Sequence, residues 1–175
     1  MYLHYETKGT GVFFCLLAVS VVAIAVGLLR LKERSASRVL EIILVCLLGI
    51  TFGIGSMMAG AFHIFYGPET AKMIGWAPAS PFQYEVGMAD VAFGLISFLC
   101  FFIRGNFWLA AIISQCTFLF GCMVGHVMNL RAQGNAAEYN IGFGIIASDF
   151  LFPLLVIGLY VAYRRLNRSR TVNGS

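Results

Sequence analysis

Apolar residues come in five long runs, 11–31, 39–66, 81–103, 107–130 and 141–163, separated by short polar interruptions. At 1.5 Å per residue, runs of this length suit the roughly 30 Å of hydrocarbon in a bilayer. The pattern predicts an all-α integral membrane protein, with residues 1–175 forming a single bundle of about five transmembrane helices.

The interruptions carry turn chemistry. A basic hairpin with Arg30, Lys32, Arg34 and Arg38 separates the first two runs. The polar stretch 67–79, with Pro68, Gly75, Trp76 and Pro78, reads as a loop. Ser80-Pro81-Phe82-Gln83 then predicts a capped helix start. Ser80 can cap, Pro81 suits the first helical position, and Gln83 can reach back to complete a capping box. Arg104-Gly105-Asn106 is a tight turn, 131–140 a polar loop, and the chain ends in an arginine-rich tail.

Charge gives these helices a direction. Arg30, Lys32, Arg34, Arg38, Arg104, Arg164, Arg165, Arg168 and Arg170 fall on one side, and only Lys8, Lys72 and Arg131 on the other. Nine against three places the first side in the cytoplasm, so the amino terminus is expected outside and the carboxyl tail inside a cell (inner) membrane. Trp76, Tyr66 and Tyr84 are then expected at the outer interface. No cleavable signal peptide is expected, because the first residues carry Glu6 and a single Lys8 and the run after them is long enough to span.

Composition agrees: 59% of the residues are hydrophobic and 11% charged, where soluble domains are about one quarter charged. The net charge of +4 sits at membrane edges, so the expected partner is the lipid bilayer, with no nucleic acid. A homo-oligomer or other membrane subunits are further candidate partners. Cys15, Cys46, Cys100, Cys116 and Cys122 lie inside apolar runs without disulfide or zinc-ribbon spacing. No nucleophile elbow, phosphate loop or HExxH motif is present, and the residues assign no enzymatic reaction.

The candidate chemistry lies in the ionisable residues within the spans, each of which needs a partner or a task. His63, Glu85 and His126 fall roughly 10–16 Å, and Asp90 and Asp149 roughly 3–5 Å, to the outer side of their helix centres. His63, Glu85 and His126 are therefore expected to converge in one outward-facing pocket. Two imidazoles and a carboxylate suit a divalent metal (Zn²⁺, Mn²⁺ or Fe²⁺), and Cys122 could complete the shell. Haem fits less well, since no CxxCH attachment motif exists. Asp90, Asp149, Cys122 and Gln115 are candidates for a proton or ligand pocket, and Pro153 predicts a kink that frees the carbonyl of Asp149. Glu85 lies roughly 140° around its helix from Asp90. Small residues in helical register predict close helix packing at Gly49, Gly53 and Gly60 and again at Gly121 and Gly125. Two readings follow: a pocket for a divalent metal or small polar ligand, or a non-catalytic subunit docking other membrane proteins through those glycine faces.

The segments Ile74-Gly75-Trp76, Ser80-Pro81-Phe82-Gln83, Glu85-Val86-Gly87-Met88-Ala89-Asp90 and Phe107-Trp108-Leu109, with His63, Gly125-His126 and Asp149, carry a family resemblance. The chain resembles a family of small uncharacterised bacterial and archaeal multi-pass membrane proteins, itself distantly similar to DoxX-like helical bundles. The resemblance implies the multi-pass topology and supports the choice of site residues. It implies no activity.

Overall fold

The computed structural model describes residues 8–78 and 80–173, and every regular element among them is helical. Helix α1 is Lys8–Leu29 and α2 is Ala36–Phe65. A short helix, α3, is Gly67–Ile74; α4 is Phe82–Leu99 and α5 is Asn106–Gln133. One turn, α6 (Glu138–Ile141), leads into α7, residues 143–173. The expected locations of the first and last few residues lie outside the described residues.

Among the described residues, four helices are long and apolar enough to cross a membrane: α1, α2, α5 and the α6–α7 unit. Helix α4 is shorter and carries Gln83, Glu85 and Asp90 among its 18 residues, which lowers its hydropathy. Large apolar side chains such as Val22, Leu29, Ile113 and Val124 are more than half exposed. Without hydrocarbon around them that exposure would be costly.

Neighbouring helices run antiparallel. On α2 and α4 the pairing is read from glycines: a Cβ on Gly53 would lie 2.8 Å from the backbone nitrogen of Phe98, and one on Gly94 2.7 Å from that of Met57. Gly60 meets the carbonyl of Gly87, and Gly49 lies under the ring of Phe101. The two backbones thus approach as closely as missing side chains allow. On α5 and α7, Cys116 lies against Pro153 and Trp108 against Tyr163.

These pairings gather the basic turns at one end of the bundle, where the core is solid. Leu44, Leu47, Leu48, Trp108, Ala111, Ile112, Val156 and Tyr160 pack there with little or no exposure. Trp108 donates its indole N–H to the carbonyl of Cys100 at 3.1 Å, and Arg104 stacks over its ring. Toward the other end the helices separate around a cavity.

Two segments depart from α-helical winding, Leu47–Ile54 in α2 and Ala147–Leu151 in α7, both π-helical. In the second, the N–H of Phe152 bonds the carbonyl of Ala147, five residues back. The expected proline kink is therefore a π-bulge preceding Pro153. In its register the carbonyl facing the missing N–H of Pro153 is that of Ser148, one residue earlier than an α-helix would give.

The stretch 67–79, expected as a loop, contains helix α3. Its buried side carries Gly67, Thr70, Ala71 and Ile74, while Pro68, Glu69 and Lys72 are exposed. Gly75 ends it with φ 81°, and Trp76 N–H bonds back to the carbonyl of Ala71. Any Cβ on Gly75 would also strike Asn135, whose amide donates to the carbonyl of Ile74 at 2.8 Å.

Candidate functional site

The cavity has a volume of about 910 Å³ and lies at the end of the bundle away from the basic turns. Apolar side chains form most of its wall, among them Phe13, Phe52, Phe62, Ile74, Val86 and Phe118. Into this apolar space face His63, Asp90, His126 and Asp149, and among the described residues no lysine or arginine lines it.

His126 is held most firmly. It is buried on α5, and its ring stacks on that of Trp76, centroids 5.8 Å apart with 22° between planes. Its Nδ1 lies 2.8 Å from Oδ1 of Asn140. The Asn140 amide nitrogen donates to the carbonyls of Asn135 and His126, which fixes the amide orientation. Asn140 Oδ1 must then accept, so His126 Nδ1 donates and Nε2 is the remaining acceptor of the neutral ring. That Nε2 faces Oδ2 of Asp149 at 4.0 Å. At 4.0 Å the two acceptors make no hydrogen bond to each other, and a donor atom lying between them can bond both.

Asp149 projects from the π-bulge. Its Oδ1 accepts from the hydroxyl of Ser148 at 2.6 Å, leaving Oδ2 toward His126. Asp90, 6% exposed, faces the same cavity from α4, close enough to Asp149 for the two carboxyls to interact electrostatically. It has no hydrogen-bond partner among the described residues. At the rim, His63 Nδ1 donates to Oε1 of buried Gln83 at 2.6 Å, again leaving Nε2 as the acceptor.

Several expected residues fall elsewhere. Glu85 is exposed and lies off the cavity wall, so it does not converge with His63 and His126. The reason is helical phase: Asp90 takes the inward direction on α4, which turns Glu85 away. Among the described residues, no group of three His, Cys, Asp or Glu side chains is arranged to hold a metal ion. Gln115 also lies off the wall. It is fully buried, donating to the hydroxyl of Ser56 at 2.6 Å and accepting from Ser97, so both ends of its amide are used in joining α2, α4 and α5. Cys122 does line the cavity. Gly49, Gly53 and Gly60 sit in the α2–α4 seam, but Gly121 and Gly125 pack against nothing: no atom lies within 4 Å of a Cβ built on either, and both border the cavity.

Three members of the site carried other readings in the sequence. Gln83, expected to complete a capping box, bonds His63 instead, while the Ser80 hydroxyl alone accepts from the start of α4 at Phe82 N–H. Trp76, expected as an interfacial anchor, covers His126. Asn140, at the end of a polar loop, sets the tautomer of that histidine. Their common signal is a polar or aromatic residue at the end of a spanning segment or in the connection beside it.

No curated protein and no solved structure matches the chain. A family of unknown function, DUF6790, matches residues 10–169, and the chain belongs to it.

Proposed function

With that membership as the premise, we propose that this DUF6790 protein binds an amphiphilic ligand, holding its cationic or hydrogen-bond-donating head among Asp90, Asp149 and His126. The carrying observation is the facing pair of acceptors, His126 Nε2 and Asp149 Oδ2, 4.0 Å apart at a cavity. A donor atom can sit within about 2.8–3.0 Å of both, as an ammonium or hydroxyl group would. Asp90 adds a second acidic group, and the absence of Lys or Arg among the described residues of the wall disfavours an anionic head. The apolar remainder of the wall suits a hydrocarbon body.

The protein around this pocket is read as crossing the inner cell membrane five times, α4 included, with its amino terminus outside. The basic turns at the solid end support that orientation, and the pocket then opens toward the outer side. The alternative role as a docking subunit loses part of its support, because Gly49, Gly53 and Gly60 face α4 of the same chain.

Dodecylamine tests the binding reading, with dodecanoate as its anionic counterpart. Trp76 lines the cavity while Trp108 is 1% exposed in the core, so binding should be read in the emission of Trp76. The amine should bind and the carboxylate should not. Asp149→Asn should weaken the amine about tenfold, the loss of one charge-assisted hydrogen bond of about 1.5 kcal/mol. Equal binding of both amphiphiles, or an unchanged affinity in Asp149→Asn, would overturn the assignment.

A further inference from the structure

We infer that the cavity opens sideways, between α4 and α5, and that the hydrocarbon part of the ligand enters from the bilayer through this slot. The inference rests on the amphiphile reading above and adds the route and the origin of the ligand.

The seam between α4 and α5 is closed on the side of the solid core. There Ser97 bonds Gln115 at 3.3 Å, and the rings of Phe93 and Phe118 meet with centroids 5.0 Å apart. Beyond that aromatic contact the facing edges of both helices line the cavity. The α4 edge carries Val86 and Phe82, and the α5 edge Gly121, Gly125 and Met128, all of them lining the cavity. Phe82 and Met128 are 53% and 64% exposed, so residues of the cavity wall are also residues of the outer surface. A Cβ built on Gly121 or Gly125 meets no atom of another element within 4 Å among the described residues, so there is open space beside both.

Depth decides what the slot meets. The centre of α5, Asn106–Gln133, falls between residues 119 and 120. Gly121 and Gly125 are therefore roughly 2 and 8 Å from it along the helix, inside the hydrocarbon of any bilayer the helix crosses. Water has no favourable route at that depth, whereas an acyl chain does. Inside, the chain would find Asp90, nine-tenths buried, facing the cavity and without a hydrogen-bond partner among the described residues. An unbonded carboxyl at this depth is costly unless something with a donor reaches it. An amphiphile sliding in through the slot brings that donor with it.

The test uses full-length protein in vesicles of phosphatidylcholine doped with a single-chain amine bearing a mid-chain diazirine. Irradiation followed by peptide mass spectrometry maps the adducts. Adducts are expected on cavity residues, Asp90, Cys122 or Asp149, and should be lost in Gly121→Leu and Gly125→Leu, which put a bulky side chain where a Cβ meets no atom within 4 Å. Labelling of lipid-facing Ile113 and Val124 should persist in both variants, which also reports that they remain folded and inserted. Adducts confined to such outer residues in the wild type would overturn the lateral route, as would cavity adducts that survive both leucines. Dodecylamine titration in detergent separates the two ideas. Binding there without cavity adducts in vesicles removes the slot and leaves the pocket; failure of both removes both.

Discussion

The same substitution, glycine to alanine, should have opposite signs at two places that share one sequence pattern. At Gly60 a new methyl would sit 2.5 Å from the carbonyl oxygen of Gly87 and 2.8 Å from Val91 Cγ2. Backbone cannot rotate aside as a side chain can, so α2 and α4 would have to part by roughly half an ångström or more. Overpacking of this kind costs about 1–3 kcal/mol. The helix-propensity gain of alanine returns about 0.5–1 kcal/mol, leaving a net loss of up to about 2.5 kcal/mol. At Gly125 nothing is met, so only the propensity gain of about 0.5–1 kcal/mol remains. At about 2–4 °C per kcal/mol for a chain of this size, Gly60→Ala should lower Tm by up to about 10 °C and Gly125→Ala should raise it by about 1–4 °C. Thermal scans in one detergent at one scan rate, followed by emission of the buried Trp108, measure both. Equal destabilisation by the two variants, or a larger loss at Gly125, would refute the distinction between a packed seam and an open slot.

Other expectations can be checked separately. A cysteine replacing exposed Glu69 should react with an impermeant reagent from outside intact cells and one replacing exposed Glu33 should not; the reverse labelling would invert the orientation. Asn140→Leu removes the acceptor for His126 Nδ1 and the donors to two carbonyls, so it should cost about 1–3 kcal/mol of stability and expose Trp76 to aqueous quenchers. Unchanged Trp76 quenching would show that the indole stack does not depend on the amide. Pro153→Ala restores an N–H beside the π-bulge and should raise Tm while weakening dodecylamine binding, because an α-helical register would turn Asp149 relative to His126; unchanged affinity would separate the bulge from the site.

Much of this architecture is legible in the order of apolar and polar residues, because spanning helices satisfy their own backbones and need only length and hydropathy to announce themselves. The burial of Asp90, Asp149 and His126 follows from the same logic, since charge-bearing groups within apolar helices turn toward protein. Less legible is which groups meet. Glu85 and His63 have similar depths, yet a rotation along α4 assigns the inward direction to Gln83, Asp90 and Gly94 and leaves Glu85 outside. The amide partners were hidden for another reason. Gln83 stands at a helix start and Asn140 at the end of a polar loop, where local capping and turn chemistry explains a polar residue well enough, and only the packed chain shows that each amide reaches a histidine from another element.

The glycines show where a sequence pattern stops being decisive. Gly49-xxx-Gly53 on α2 and Gly121-xxx-Gly125 on α5 have the same spacing, and each offers a groove in a helix surface. A groove becomes a contact only if the facing helix can enter it. Helix α4 presents Gly87 and Gly94 to α2, so backbone meets backbone and the seam closes. Toward α5 the same helix presents Phe93, whose ring meets that of Phe118, and beyond this contact Gly121 and Gly125 have open space beside them. One helix thus builds a tight interface and an opening from side-chain size on two of its faces. Asp90 stands where those faces meet, its Cβ against the Gly60 position and its carboxyl at the cavity. The α2–α4 packing that holds Asp90 at this depth is therefore also what makes the acidic end of the cavity rigid, while the wall beside it stays open.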